Sequence, residues 1–464
     1  LEYRMTPFLT YCERSHTGPK VSKDDWDFDY IVMKTKEVVD KYHLSWDSEK
    51  IIPTDAELLG SIFKAAKELA VATGLYNIST SRIVQFSVDE IDAGLSAMPK
   101  TLSMGEGNEA YTLVARGIED PRPPAIWGGD PGCPTPGSLF SPIVESVAKE
   151  PVVDLLTCGC IIDIDGIEVR RSDWTETAAV TREMQQVRHI LEKLGRPGMG
   201  VLGAESSQTE LGDLAAMRPD LLRPSDSHLI ALFNELVIDD GNLVRAAAKE
   251  QYGVRNASLA CTMVGGLGGD APGATVLMAA SMMAANLLCS ADYHLCHPIH
   301  INQVSTTARG CLWLQSALCQ TFAAHAPAII VCDIWPKSGA GTKELLYETA
   351  VNAIVATVSG GHLEGVGTVD GNVPNCSGLE VRLMGEVGKA VAKQRMGREQ
   401  ANEIVLKLLN KYEHILDSPE GNRGKRFDEV YDLTTIEAKD EWRAMYEQVF
   451  DELVEMGIEL ETSV

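Results

Sequence analysis

The densest cluster of reactive side chains is Asp292-Tyr293-His294-Leu295-Cys296-His297-Pro298-Ile299-His300-Ile301-Asn302. Read as one extended strand, it puts His294, Cys296 and His300 on a single face, and imidazole and thiolate ligands sharing a face are the ingredients of a zinc site. Six strand residues span about 20 Å, so His294 and His300 reach one ion only if the strand breaks, and Pro298 is where a break would fall. A His294/Cys296 pair completed by the distant Cys332 is the zinc arrangement that survives this geometry. The ordinary alternative is a set of hydrogen-bonded polar residues lining a barrel.

Two other stretches carry groups of chemical interest. Asp333-Ile334-Trp335 places a carboxylate and an indole on the same face of a strand end, the two components of a pocket for an organic cation. Against this stands the plainer pairing of an edge Asp with a packed Trp. Gly195-Arg196-Pro197-Gly198-Met199-Gly200-Val201-Leu202-Gly203-Ala204-Glu205 reads as a helix end, a turn and a strand running into glycine. Those glycines let a ligand approach the backbone at Leu202, and Glu205 falls just past the strand end, where a barrel enzyme keeps catalytic carboxylates. Asp226-Ser227-His228 has the Asp-x-His order of a cobalt-ligating box, but Ala231 stands at the glycine position and no glycine-rich segments follow. We read it as a loop with a charged lip.

These groups need a scaffold, and the rest of the chain supplies one. Candidate strands at 155–162, 200–203, 258–264, 293–301, 329–334 and 362–367 alternate with candidate helices at 175–194, 274–289, 310–324, 343–358, 379–393 and 398–415. Short apolar runs alternating with longer helical stretches indicate a parallel sheet with helical crossovers. Ala125 to Trp127 adds a strand before a long Pro/Gly-rich loop. If the units close into a barrel, ligand chemistry belongs at the strand C-termini, around Glu205, Gly265, His300 and Asp333. Gly265-Gly266-Leu267-Gly268-Gly269 lacks a dinucleotide or P-loop order and reads as a tight β-to-α turn. Trp26 to Tyr42 and the stretch capped by Thr54-Asp55 have helical spacing and precede these strands. We therefore expect residues 1–110 to form a helical extension packed on a barrel of 111–464, C-terminal helices included.

Composition narrows the function classes. The 464 residues carry 41 Lys and Arg against 66 Asp and Glu, a net charge of −25 that repels phosphate backbones and anionic membrane surfaces, so neither nucleic acid nor membrane is an expected partner. Eleven cysteines at irregular spacing, mostly within apolar runs, suggest reduced thiols. Leu1 to Ser15 mixes Glu2, Arg4, Glu13 and Arg14 among scattered apolar residues, unlike a secretory or transit signal, and the expected location is cytoplasmic.

The stretch from Gly195 to Val201, with Gly203 and Glu205, closely resembles the segment around the pyrrolysine of archaeal monomethylamine:corrinoid methyltransferases. Asp24-Asp25-Trp26-Asp27, Ile52-Pro53-Thr54-Asp55, Asn234-Glu235-Leu236, Ser305-Thr306 with Arg309, and Met384-Gly385-Glu386-Val387 look like stretches of the same family in the same order. The resemblance covers nearly the whole chain. It implies a (β/α)8 TIM barrel, homo-oligomeric and by family analogy hexameric. Such a barrel takes a methyl group from a methylated amine to the Co(I) of a corrinoid (cobalamin) held by a separate partner protein, with no cofactor or metal on this chain.

By that resemblance Leu202 occupies the pyrrolysine position, and an aliphatic side chain offers no electrophile to capture an amine. Where the family carries Glu, Gln and Tyr around the pyrrolysine ring, this sequence has Leu259, Asp333 and Trp335. We therefore expect the reaction type to be kept and the donor to differ from monomethylamine. A quaternary ammonium needs neither proton nor covalent capture to leave as a neutral amine. Its site would place Trp335 and Tyr293 against the cation, with Leu202, Leu259 and His300 shaping the cavity. Asp333 and Glu205 would act as the catalytic carboxylates that balance the charge. Two alternatives stand beside this reading: a zinc-dependent methyl-oxygen or methyl-sulfur corrinoid methyltransferase using His294/Cys296, and an inactive barrel that only binds the corrinoid protein.

Overall fold

Eight short apolar runs form the barrel: β1 Ile126–Gly128, β2 Leu155–Leu156, β3 Leu202–Gly203, β4 Ser227–Leu232, β5 Arg255–Ala260, β6 Tyr293–Cys296, β7 Ile330–Ile334 and β8 His362–Gly365. In this computed structural model, which describes residues 7–371, 373–419 and 421–461, they pair in parallel in the order β3-β4-β5-β6-β7-β8-β1-β2. A parallel bridge between Leu156 and Val201 joins β2 to β3 and closes the ring. One helix follows each strand: α1 Gly137–Ala148, α2 Trp174–Lys193, α3 Glu210–Ala216, α4 Asp240–Tyr252, α5 Ala271–Leu288, α6 Arg309–His325, α7 Lys343–Ser359 and α8 Gly378–Lys393. The fold is a (β/α)8 barrel, as the alternation of short and long apolar runs indicates.

Alternate strand residues point inward. Trp127, Leu155, Leu202, Ala257, Tyr293, Leu295 and Val331 fill the barrel as one apolar cluster, while the opposite strand faces meet the helices. The helix Ala56–Thr73, capped by the Asp55 carboxylate on the amides of Glu57 and Leu58, packs across α5 and α6. Sandwiched between that helix and β5, α5 is apolar all round. It is long and apolar enough to cross a membrane by composition, but 89% of it is buried inside the protein, the signature of a core helix. The first six residues and the last three, which belong to the expected terminal segments, lie outside the described residues.

Three sequence expectations change. Leu155 to Ile162 is not one strand: it ends at Leu156, and Cys160–Ile161 pairs separately with Pro134–Thr135. The stretch from Tyr293 to Ile301 breaks after Cys296, because Pro298 has no amide to give the ladder. The chain re-pairs through Ile299–His300 with Met263–Val264. Finally, Asp226-Ser227-His228 is no charged loop lip but the entry to β4.

Asp226 is fully buried and accepts hydrogen bonds from the amides of Val201, at 3.0 Å, and Arg223, at 2.8 Å, while pairing with the guanidinium groups of Arg188 and Arg223. It pins the strand that carries Leu202 to the strand beside it. His228 turns outward, between Asp213 and the Asn256 carbonyl oxygen 3.0 Å away. Removing one partner of a buried ion pair strands the other charge, typically at a cost of about 3–5 kcal/mol. Asp226→Ala is expected to lower stability by that amount in chemical denaturation and Asp226→Asn by less; an unshifted midpoint for Asp226→Ala would refute this role.

Candidate functional site

The C-terminal ends of the strands surround a cavity of about 390 Å³, open to solvent at the barrel mouth. Leu202 of β3, Leu229 of β4, Leu259 of β5 and Leu295 of β6 make an apolar floor and wall, with Met263 and Ile299 above them. Three carboxyl groups enter this apolar space: Glu205, Asp333 and Glu364. Among the described residues, no Lys or Arg lines it.

Each polar member is positioned by specific partners. Glu205 follows β3 in a turn where Ala204 has a φ of +66°. The buried Glu183 carboxylate of α2 holds that turn, accepting from the amides of Glu205 at 3.0 Å and Ser206 at 2.7 Å. Asp333, at the end of β7, accepts from His297 Nδ1 through one oxygen at 2.5 Å. Its other oxygen has no partner. His297 in turn meets the Trp335 ring edge-on, with centroids 4.6 Å apart. Trp335 is tied to Thr306 through both backbone groups and lies where glycine leaves room: a Cβ on Gly367 or Gly371 would fall 2.4 Å from its indole. A Cβ on Gly132 would sit 3.9 Å from the Trp335 ring and 4.0 Å from a Glu205 oxygen, so carboxyl and indole converge over that glycine.

Electrostatically the cavity is one-sided. Burial raises the Glu205 carboxyl well above its ordinary range, and Glu183, Asp333, Asp213 and Asp130 raise it further. Burial does the same to Glu364, with Asp333 and Glu205 adding to it. Asp130, at the mouth, is pushed by burial to about 7. Glu205 Oε1, Asp333 Oδ1 and both oxygens of Glu364 are buried without a hydrogen-bond partner. Such groups are costly unless protons or a ligand satisfy them. The arrangement can hold a cation with an apolar body.

Of the residues singled out from sequence, Leu202, Glu205, Leu259, Asp333 and Trp335 line this one cavity. Tyr293 does not: it lies deeper in the barrel, its ring 5.5 Å from Trp127 and its hydroxyl 2.7 Å from Ser227 Oγ. His300 is also off the wall, because the break at Pro298 carries it into the short pairing with Val264, where its Nδ1 accepts from the Gln303 amide. The zinc pair faces the wrong way. His294 bonds Ser258 Oγ at 2.7 Å and Cys296 packs on Met278 Sδ at 3.5 Å, both on the helix side of the barrel. Among the described residues no group of three or more His, Cys, Asp and Glu has a metal-holding arrangement. Sequence reading passed over Glu364 and His297. Glu364 sits in the apolar run His362–Gly365, and only its register beside Asp333 could have flagged it.

The charge imbalance has a pH signature. Asp130 at about 7 and Glu380 at about 8, with Glu205 and Glu364 also raised by burial, keep protons that the unfolded chain has released above about pH 4.3. Each such group lowers stability by about 1.4 kcal/mol per pH unit until its folded value is passed. His294 and His362, held by burial to about 4 and about 3, work in the opposite direction only below their ordinary 6.5. The interval from pH 6.5 to 8 therefore belongs to the carboxyls. Stability is expected to fall across it, and Glu205→Gln to make the slope shallower; a rise in unfolding free energy over that interval would contradict the assignment.

Residues 7–458 match the family model described as monomethylamine methyltransferase MtmB. Monomethylamine methyltransferase MtmB2 of Methanosarcina acetivorans is 30% identical, and MtmB1 of Methanosarcina barkeri 31% identical, each over 97% of both chains. The crystal structure of the Methanosarcina barkeri monomethylamine methyltransferase superposes with a TM-score of 0.94 at 30% identity, covering 98% of this chain and 99% of that one. A hydroxylamine complex of MtmB superposes equally well. Together with the barrel and its mouth cavity, these likenesses show that the chain belongs to the monomethylamine methyltransferase MtmB family.

Proposed function

We propose that this protein transfers a methyl group from a quaternary methylated ammonium donor to the Co(I) of a corrinoid carried by a separate protein. The observation that carries the reading is an apolar cavity walled by Leu202, Leu229, Leu259 and Trp335, holding carboxyl oxygens without partners and, among the described residues, no Lys or Arg. A cation whose surface is methyl groups matches both properties: its body suits the leucine wall and its charge suits the carboxyls and the indole.

The relatives are named for monomethylamine, and the divergence is supported by what stands at their pyrrolysine position, taken here as Leu202. A primary amine is a poor leaving group until it is protonated or captured, and this cavity holds no electrophile for capture. A quaternary nitrogen already carries the charge that makes it leave. The corrinoid, when bound, supplies the electron pair that takes the methyl carbon. As the C–N bond breaks, nitrogen keeps the bonding pair and departs as a neutral tertiary amine, so no proton is needed.

The chain's own residues bind and orient. Asp333, steadied by His297, faces the ammonium charge, while the Glu205 carboxyl and the Trp335 π surface close over its methyl groups. Leu202 fixes how deeply the donor can sit, leaving one methyl directed to the open mouth. Positioning of this kind accounts for much of the acceleration in a displacement reaction. Exposed apolar side chains ring that mouth, with Phe233 46%, Ile301 43% and Leu267 40% exposed on successive loops, and this rim fits a corrinoid protein docking over the cavity.

Assayed with a corrinoid acceptor over the series from mono- to quaternary methylamines, turnover is expected only with the quaternary members. A preference for monomethylamine would overturn the reading. Trp335→Leu is expected to lower kcat/KM for the quaternary donor roughly thirty-fold, the equivalent of about 2 kcal/mol for a desolvated cation–π contact. An unchanged kcat/KM would remove the indole from the site.

A further inference from the structure

Glu364 has no role in the reading so far, yet its situation is the most demanding in the molecule. It stands on β8 in register with Asp333 of β7 on one side and Trp127 of β1 on the other, and it lines the cavity. Its side chain is fully buried, and neither carboxyl oxygen makes a hydrogen bond of good geometry, the Thr157 hydroxyl being the neutral donor near it. Asp333 has His297 on one oxygen, and the turn of Glu205 is held by Glu183, but nothing comparable holds Glu364. A bare carboxylate there would face Asp333 and Glu205 with Asp130 and Glu183 behind them, and the Thr157 hydroxyl alone would favour its charge. His297, already engaged by Asp333, is the one imidazole in the wall.

A buried group of this kind tolerates two states only: neutral with a proton, or charged with a cation against it. Taking the quaternary-donor reading as its basis, we propose that Glu364 is the counter-ion of the bound donor, protonated in the empty cavity and giving its proton to solvent when the cation enters. The exchange balances: carboxylic acid plus ammonium ion become a carboxylate–ammonium pair plus one proton in water. Glu364 is thus a specificity-determining residue. A neutral isostere of the donor gains nothing from displacing the proton, whereas a permanent cation replaces it. Because a quaternary nitrogen does not titrate, any pH dependence of its binding belongs to the protein.

The test is calorimetry of the full chain with tetramethylammonium between pH 6.5 and 8, in two buffers of different ionisation enthalpy. Wild type is expected to release close to one proton per cation bound and to bind up to tenfold tighter per pH unit. Glu364→Gln, an isosteric change whose fold is checked by its thermal midpoint, should bind at least tenfold more weakly with no proton release. Glu364→Asp should restore the release. Equal affinity and equal proton release in Glu364→Gln would overturn the assignment while leaving the quaternary-donor reading intact. Wild type that binds methylammonium but not tetramethylammonium would instead overturn that reading, and loss of the methylammonium-linked proton release in Glu364→Gln would then decide the role of Glu364.

Discussion

Carboxyl groups gathered at the end of an apolar barrel, with no lysine or arginine among the described residues to meet them, are the constraint on which the rest of this site depends. Glu205, Asp333 and Glu364 share a leucine-lined cavity in which several of their oxygens have no hydrogen-bond partner. Water is largely displaced there by leucine and indole, so each carboxyl raises the cost of ionising the next. Such a site is at rest only when protons or a cation fill it.

The scaffold holds these groups in place from behind. Glu183 fastens the turn that presents Glu205, His297 orients Asp333, and paired glycines make space for the Trp335 indole. Asp226 binds together the strands that carry Leu202 and Leu229 by taking two backbone amides and two guanidinium groups at once. Glu183, His297 and the two glycines each come from a different segment of chain than the group they hold. This is how a barrel separates rigidity from chemistry: the strands are fixed by the core and the helices, and the loops beyond them are free to differ between relatives.

Much of the architecture was legible in the residue pattern. Apolar runs such as Ile329 to Ile334, followed by stretches with helical spacing, are what a parallel barrel requires of a sequence, and the structure places a strand at Ile330–Ile334 and a helix at Lys343–Ser359 as that pattern indicates. Where the reading failed, the reason is local and physical. Asp226-Ser227-His228 reads as an exposed polar stretch because Val201 and Arg188, which bury the Asp226 carboxylate together with nearby Arg223, lie 25 and 38 residues away in sequence. His300 lies past the proline break, which carries it off the barrel wall, and Tyr293 points into the barrel but sits a layer below the cavity, a depth that residue spacing does not display.

Residue type alone determined that a carboxylate and an indole would share a face at 333 and 335, and that Leu202 would put an inert side chain after a glycine-rich turn. Those properties follow from the two-residue period of a strand and from the chemistry of each side chain. Only closure of the barrel decided that Glu205, in the turn after β3, and Asp333, at the end of β7 128 residues later, face the same cavity, and that Glu364 joins them. Register between neighbouring strands is a long-range property, set by how eight short runs close into one ring, and charge density at a point in space depends on that closure. Sequence lists the carboxyl groups; three-dimensional packing brings them together and withholds their counter-ions.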